Sequence, residues 1–135
     1  MTLLLLDAGV WLACRDADDG NHAFAVRLLE GDRAVCALDL TVYEVANVAT
    51  RSWRSPTRAR IVVELLRTVC AGSIVRVDDA LTDRAIELAE TYGITIYDAA
   101  YAAASQLNGW TLVSTDLADL VRPGLAITPE EAAAN

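Results

Sequence analysis

Short apolar runs along the chain alternate with longer stretches in which apolar residues recur every three or four positions. The first run, Leu3–Leu6, is continuous, as a central parallel strand is when both its faces are covered. Gly9–Cys14 predicts a short helix, and the polar DADDGN segment a loop. Asp19 or Asn21 is placed there to cap a helix ending near Glu30. Ala34–Leu38 reads as a second strand. The following helix starts at Asp39 or Thr41 and carries Val42, Val45, Ala46 and Ala49 at helical spacing. Ser55-Pro56 interrupts it, and Pro56 suits the first turn of a helix reaching about Ala71. Ile74–Val77 predicts a third strand and Asp79–Tyr92 a helix stopped by Gly93. Asp98 is placed to open an alanine-rich helix ending near Asn108-Gly109, followed by strands at Thr111–Ser114 and Leu125–Ile127. This alternation predicts an α/β fold, a mostly parallel sheet covered by helices on both faces.

Composition narrows the class. A chain of 135 residues, 54% apolar and 22% charged, fits one globular domain, 1–135, with a sizeable core. No apolar run approaches the ~20 residues of a membrane helix. The opening MTLLLLD lacks a basic segment and a cleavage site and reads as a buried strand rather than a leader, so a cytoplasmic protein is expected. Cys14, Cys36 and Cys70 are odd in number and form no C-x-x-C pair, which predicts buried free thiols. A single histidine, His22, excludes a metal-free ribonuclease built on a histidine acid and a histidine base.

In an open parallel sheet, functional groups gather beyond the carboxyl ends of the strands, where strand order reverses. Asp7 directly follows the first strand and Asp116 the fourth, while Glu44 and Asp98 lie on helices leaving the same edge. Taken singly, each has a structural reading: Asp7, Asp98 and Asp116 as helix caps, Glu44 as a solvated helix residue. Together they carry chemistry. Two carboxylates about 4 Å apart repel by about 4 kcal/mol at an effective dielectric near 20. A cluster of them therefore calls for protons or cations. Hard oxygen donors suit Mg²⁺ or Mn²⁺, and the matching reaction is phosphodiester hydrolysis by activated water.

The net charge of −8 argues against nucleic acid as a partner, but it is unevenly spread. Residues 51–67 hold Arg51, Arg54, Arg58, Arg60 and Arg67 against Glu64 alone. This is either a solvated amphipathic face or a phosphate-contacting clamp of Arg51, Arg54 and Arg58, with Trp53 available to stack on an unpaired base.

Four segments in order, LLLLDAGVW, LTVYEVANVATR, ITIYDAAYAAASQLNGWTLVST and STDLADL, resemble the signature of PIN-domain nucleases, in particular the VapC-type toxins of toxin–antitoxin pairs. The resemblance covers nearly the whole chain. It implies a three-layer α/β/α sandwich, a homodimer, cleavage of structured RNA such as tRNA or ribosomal RNA, and a short cognate antitoxin covering the groove. It makes Asp7 and Asp98 direct metal ligands. Glu44 and Asp116 complete the site through water or a second metal, and Asp119 is a fifth acid whose alternative is a solvated place on a short helix. One departure stands out: family members often carry a small polar residue where this chain has Gly9. Ser114 replaces a common threonine and keeps its hydroxyl, and Asn47 is placed to orient Glu44.

Other acidic α/β folds do not fit. A response-regulator receiver needs a lysine, and the chain has none; a haloacid dehalogenase needs a second acid at position 9; and no G-x-x-x-x-G-K loop exists. Two readings compete with a toxin: a PIN-like module that binds RNA or protein without cutting, favoured by Gly9, and a PIN nuclease of RNA processing. A domain with nothing appended favours the toxin.

Overall fold

The computed structural model describes residues 2–135. Its sheet has four strands: β1 (Leu4–Leu6), β2 (Val35–Leu38), β3 (Ile74–Val75) and β4 (Thr111–Val113). All pair in parallel, in the order β3-β2-β1-β4. The helices are α1 (Ala8–Ala13), α2 (His22–Glu30), α3 (Asp39–Arg51), α4 (Pro56–Val69), α5 (Asp79–Tyr92), α6 (Ile96–Asn108) and α7 (Pro129–Ala134), with one π-helical turn at Leu117–Val121.

Alternation along the strands sorts the core into two halves. Leu4 and Leu6 point to one face, where Val10 and Trp11 of α1, Leu28 of α2, Val45 of α3 and Val62 and Leu66 of α4 close over them. Leu5 points to the other, with Leu81, Ala85 and Leu88 of α5 and the alanines of α6. All three leucines are fully buried, which is why the run is continuous rather than alternating. The three-layer sandwich is thus the observed architecture. The chain first builds outward from β1 to β3, then returns through α5 and α6 to place β4 on the free edge of β1. Crossovers of one hand put the returning helices on the opposite face. The carboxyl ends of β1 and β4 therefore flank the point where strand order reverses.

Several sequence expectations are met closely. Gly93 and Gly109 end α5 and α6 in the left-handed conformation, at φ 64° and 68°. Ser55 caps α4 with Pro56 in its first turn. Cys14, Cys36 and Cys70 are free and buried, and burial pushes their thiols up to about 11, 12 and 11. Three expectations change. The fifth strand reduces to a single parallel bridge, Val113 to Ile127. β3 stops after two residues; beyond it, the Val77 N–H is bonded to the Asp39 carboxylate. The helix expected to open at Asp98 opens at Ile96, because the Thr95 hydroxyl accepts from the Asp98 N–H at 3.1 Å and caps it. That last change matters for the site: Asp98 is relieved of capping and its carboxylate is left free.

Candidate metal centre

Asp7 leaves β1 as the cap of α1, its Oδ1 accepting from the Val10 N–H at 3.1 Å. Its Oδ2 accepts a short bond from the Ser114 hydroxyl, and the Thr115 backbone N–H also donates to it. These bonds favour the anion, yet burial at 7% exposure outweighs them and raises its pKa to about 6, with the Glu44 charge adding to the rise. The structural and functional readings of Asp7 are thus compatible: one oxygen caps a helix, and the whole carboxylate is held at a cost to its charge.

Ser114 links two acids. While its hydroxyl donates to Asp7, its oxygen accepts from the Asp116 N–H at 2.9 Å. Asp116 then caps the π-helical turn, accepting from the Asp119 N–H at 3.0 Å. This turn folds Asp119 back beside Asp116. One carboxylate oxygen from each of Asp98, Asp116 and Asp119 falls within a set spanning 4.8 Å. Asp119, whose alternative from sequence was a solvated place, belongs to this tightest group and is its exposed member, while Asp98 and Asp116 are half-buried. Burial pushes Asp98 up to about 6, and Asp116, Asp119 and Glu44 raise it further by their charge.

Glu44 sits in the second turn of α3, half-buried. Its partner is the Tyr101 hydroxyl of α6, which donates to Oε1 at 2.6 Å. Asn47, expected to orient it, is exposed one turn away. Tyr101 is 2% exposed and its hydroxyl also meets Thr41 Oγ1 at 2.7 Å. A buried chain from Thr41 through Tyr101 therefore fixes the Glu44 carboxylate, whose pKa burial raises and the Tyr101 bond lowers. Neither Tyr101 nor Thr41 was singled out from sequence. The available signal was a tyrosine one turn beyond Asp98, among the alanines of the buried face of α6.

All five acids thus face one edge, with Asp98, Asp116 and Asp119 tightly grouped and Asp7 and Glu44 beside them. The donor set is all oxygen. The cysteines lie in the core, and His22 Nδ1 is bonded to the Ala13 carbonyl at 2.8 Å. Hard, high-charge donors of this kind fit Mg²⁺ or Mn²⁺ and do not fit a soft metal. Burial first, and the neighbouring carboxylates second, raise the pKa values of Asp7 and Asp98, so the protein alone holds these charges at a cost.

Gly9 has a local explanation. A Cβ built there would lie 1.9 Å from Thr115 Oγ1. The space a side chain at position 9 would fill is already held by the Thr115 hydroxyl, delivered from the loop after β4.

The arginine stretch lies at the far end of α3 and on α4. Arg51 is seven residues beyond Glu44, about 10 Å along the same helix face. Arg58 lies over the Trp53 ring at 3.8 Å from its centroid and donates to the Arg15 carbonyl at 2.7 Å. Trp53 is half-buried against the core, so Arg58 and Trp53 are engaged with one another. Arg51 and Arg54 are exposed, and Arg54 holds a left-handed backbone at φ 52°.

The sequence pattern of the PIN domain family matches residues 4–122, which include every strand and all five acids. Among solved structures, the fold is similar to a toxin–antitoxin complex from Klebsiella pneumoniae (TM-score 0.70, 19% identity, 93% of this chain and 97% of that one). It is also similar to PAE2754 from Pyrobaculum aerophilum (0.71, 25%, 98% and 95%). A third is VapC20 from Mycobacterium tuberculosis, described as a sarcin-ricin loop cleaving toxin (0.71, 19%, 90% and 95%). No curated protein matches the chain in sequence. With the family pattern running through its sheet and its acidic edge alike, the chain belongs to the PIN domain family.

Proposed function

We propose that this chain is a Mg²⁺- or Mn²⁺-dependent endoribonuclease, folded as one PIN domain over 1–135 and acting as the toxin of a toxin–antitoxin pair in the cytoplasm. The observation that carries the reading is the convergence of five carboxylates where the strand order reverses, with two of them held at a cost to their charge. A solved relative described as a sarcin-ricin loop cleaving toxin supports structured RNA as the substrate class, and another described as a toxin–antitoxin complex supports a short antitoxin partner. A homodimer belongs to the same reading. No described helix is long and apolar enough to cross a membrane.

In this reading Asp98, Asp116 and Asp119 hold the ion, with Asp7 and Glu44 completing the site. The bound ion supplies charge neutralisation and an acidified water for attack on a phosphodiester. The chain's own groups do the positioning. Ser114 fixes Asp7 and Asp116 relative to each other, Tyr101 donates to Glu44 and favours its anion against the pull of burial, and the Thr95 cap frees Asp98. Arg51 at the end of α3 and Arg54 in the turn that follows it take RNA phosphates, with Arg58 and Trp53 as a braced pair beside them. Thr115 restores a hydroxyl at the place left by Gly9, which weakens the case for a binding-only module.

The test is cleavage of total bacterial RNA by purified protein with Mg²⁺, Mn²⁺ or EDTA, beside Asp98→Asn. Discrete fragments that need both metal and Asp98 are the expected result. Folded, inhibitor-free protein that cuts nothing in any lane would turn the reading to RNA or protein binding without chemistry.

A further inference from the structure

Beside the acids lies an open cavity of about 450 Å³ lined by Tyr43, Glu44, Asn47, Thr95, Tyr97 and Asp98. Its walls hold two acids and two tyrosines, and no cation. Tyr43 is 83% exposed and Tyr97 61%, so both phenol rings face solvent, and neither hydroxyl is bonded to another described side chain. Each directly precedes one of the acids, Tyr43 before Glu44 on α3 and Tyr97 before Asp98 on α6.

We propose that Tyr43 and Tyr97 form a stacking subsite for the unpaired bases flanking the scissile phosphate of RNA. The inference rests on the nuclease reading above and deepens it. A phosphodiester placed at Glu44 and Asp98 carries its neighbouring nucleotides over the residues adjoining those acids. No arginine lines the cavity, so apart from the ion at the acids no charged side chain of the wall attracts the nucleotides on either side of the phosphate. Affinity in this stretch has to come from contacts indifferent to charge. Aromatic faces stacked on bases supply it, whatever the base. The one tryptophan near the arginines does not compete for the role, because Arg58 covers its ring. Asn47 and Thr95 add uncharged hydrogen-bonding groups to the walls. Stacking needs bases out of a duplex, so the subsite favours single-stranded loops over paired stems.

The experiment compares wild type with Tyr43→Ala, Tyr97→Ala and the corresponding phenylalanine variants. Loss of one stacked base corresponds to a roughly 5- to 150-fold weakening. That loss is expected in KM for fragments cut from total RNA, with kcat nearly unchanged, and phenylalanine is expected to restore wild-type KM. Both residues are exposed, so thermal stability is expected to stay level. A second readout does not need cleavage: anisotropy of a labelled 12-nucleotide single-stranded RNA in Mg²⁺, with each tyrosine change placed in Asp98→Asn. The same strand annealed into a duplex is expected to bind weakly and to ignore the tyrosines. Metal-dependent cleavage with KM within twofold of wild type in both alanine variants would overturn the subsite and leave the nuclease reading standing. Tyrosine-dependent RNA binding without cleavage by wild type would do the reverse. Alanine variants that bind RNA normally but escape an inhibitory antitoxin would overturn the subsite by assigning the rings to a protein partner.

Discussion

Replacing Asp7 by asparagine is expected to make the metal-free protein more stable while abolishing its cleavage of RNA. Asp7 is 7% exposed, and its pKa rises from 3.8 to about 6 on folding. At about 1.4 kcal/mol per tenfold change in proton affinity, keeping it ionised at pH 7 costs the fold on the order of 3 kcal/mol. The sign follows from proton counts. Between pH 4 and 6 the folded chain holds a proton on Asp7 that the unfolded chain has released, so stability falls as pH rises through that window and levels off above it. Asparagine is nearly isosteric with the protonated acid. Its Oδ1 still accepts from the Val10 N–H, and its amide can donate to Ser114. The advantage of Asp7→Asn is therefore near zero at pH 4 and largest at pH 7. For 135 residues, an unfolding entropy of roughly 2 cal/mol/K per residue turns 3 kcal/mol into a Tm rise of about 10 °C. Thermal unfolding in EDTA at pH 4, 5, 6 and 7 reads this directly. Added Mg²⁺ is expected to raise the Tm of wild type at pH 7 more than that of the variant. A variant no more stable than wild type at pH 7, or a gain that does not grow between pH 4 and 7, would refute the reasoning.

Three further perturbations test separate parts of the site. Tyr101→Phe removes the donor to Glu44 and strands the buried Thr41 hydroxyl, with an expected loss of about 1–3 kcal/mol in denaturant unfolding. The Glu44 pKa climbs further without that bond, so the acid limb of the pH–rate profile is expected to move to higher pH; an unmoved limb removes Tyr101 from the site. Gly9→Ser drives its Cβ into Thr115 Oγ1 and is expected to cost about 1–3 kcal/mol, most of it recovered by adding Thr115→Ala. If the double variant is no more stable than the single, the two residues do not share that space. Arg51→Gln with Arg54→Gln is expected to weaken RNA binding and to flatten its log–log salt slope by about 1.4, at roughly 0.7 per lost phosphate contact. An unchanged slope would take both arginines off the RNA path.

The layered fold was legible because burial leaves a periodicity: a continuous leucine run for a strand covered twice, and three- and four-residue spacing for helices covered once. Strand ends were less so. Ile127 meets β4 at one bridge only, and whether a ladder continues depends on hydrogen bonds from elsewhere in the chain. The acids were legible as a set because strand ends and helix starts place them at one edge whatever the details. What sequence could not rank was their spacing. Asp119 joins Asp98 and Asp116 only because a π-helical turn folds it back, and Asp98 is free only because Thr95 takes the cap. Tyr101 and Thr115 stayed hidden for a related reason: each acts on a residue of another element, and neither contact leaves a local pattern.

The return of the chain to the free edge of β1 also sets the order in which the molecule becomes active. Asp7 is held by Ser114, 107 positions later, and the tight acidic group needs the turn after β4. During synthesis, β1 to β3 and their helices can close a sheet while β1 still presents an unpaired edge. A chain at that stage carries Asp7 and Glu44 but lacks Asp116 and Asp119, so it has the scaffold of the site and not its cutting edge. Closure by β4 is a long-range pairing, slow by its loop length. Its completion coincides with assembly of the carboxylate cluster. Under the proposed function, the nascent chain has no complete site until β4 docks, so folding itself times the onset of activity.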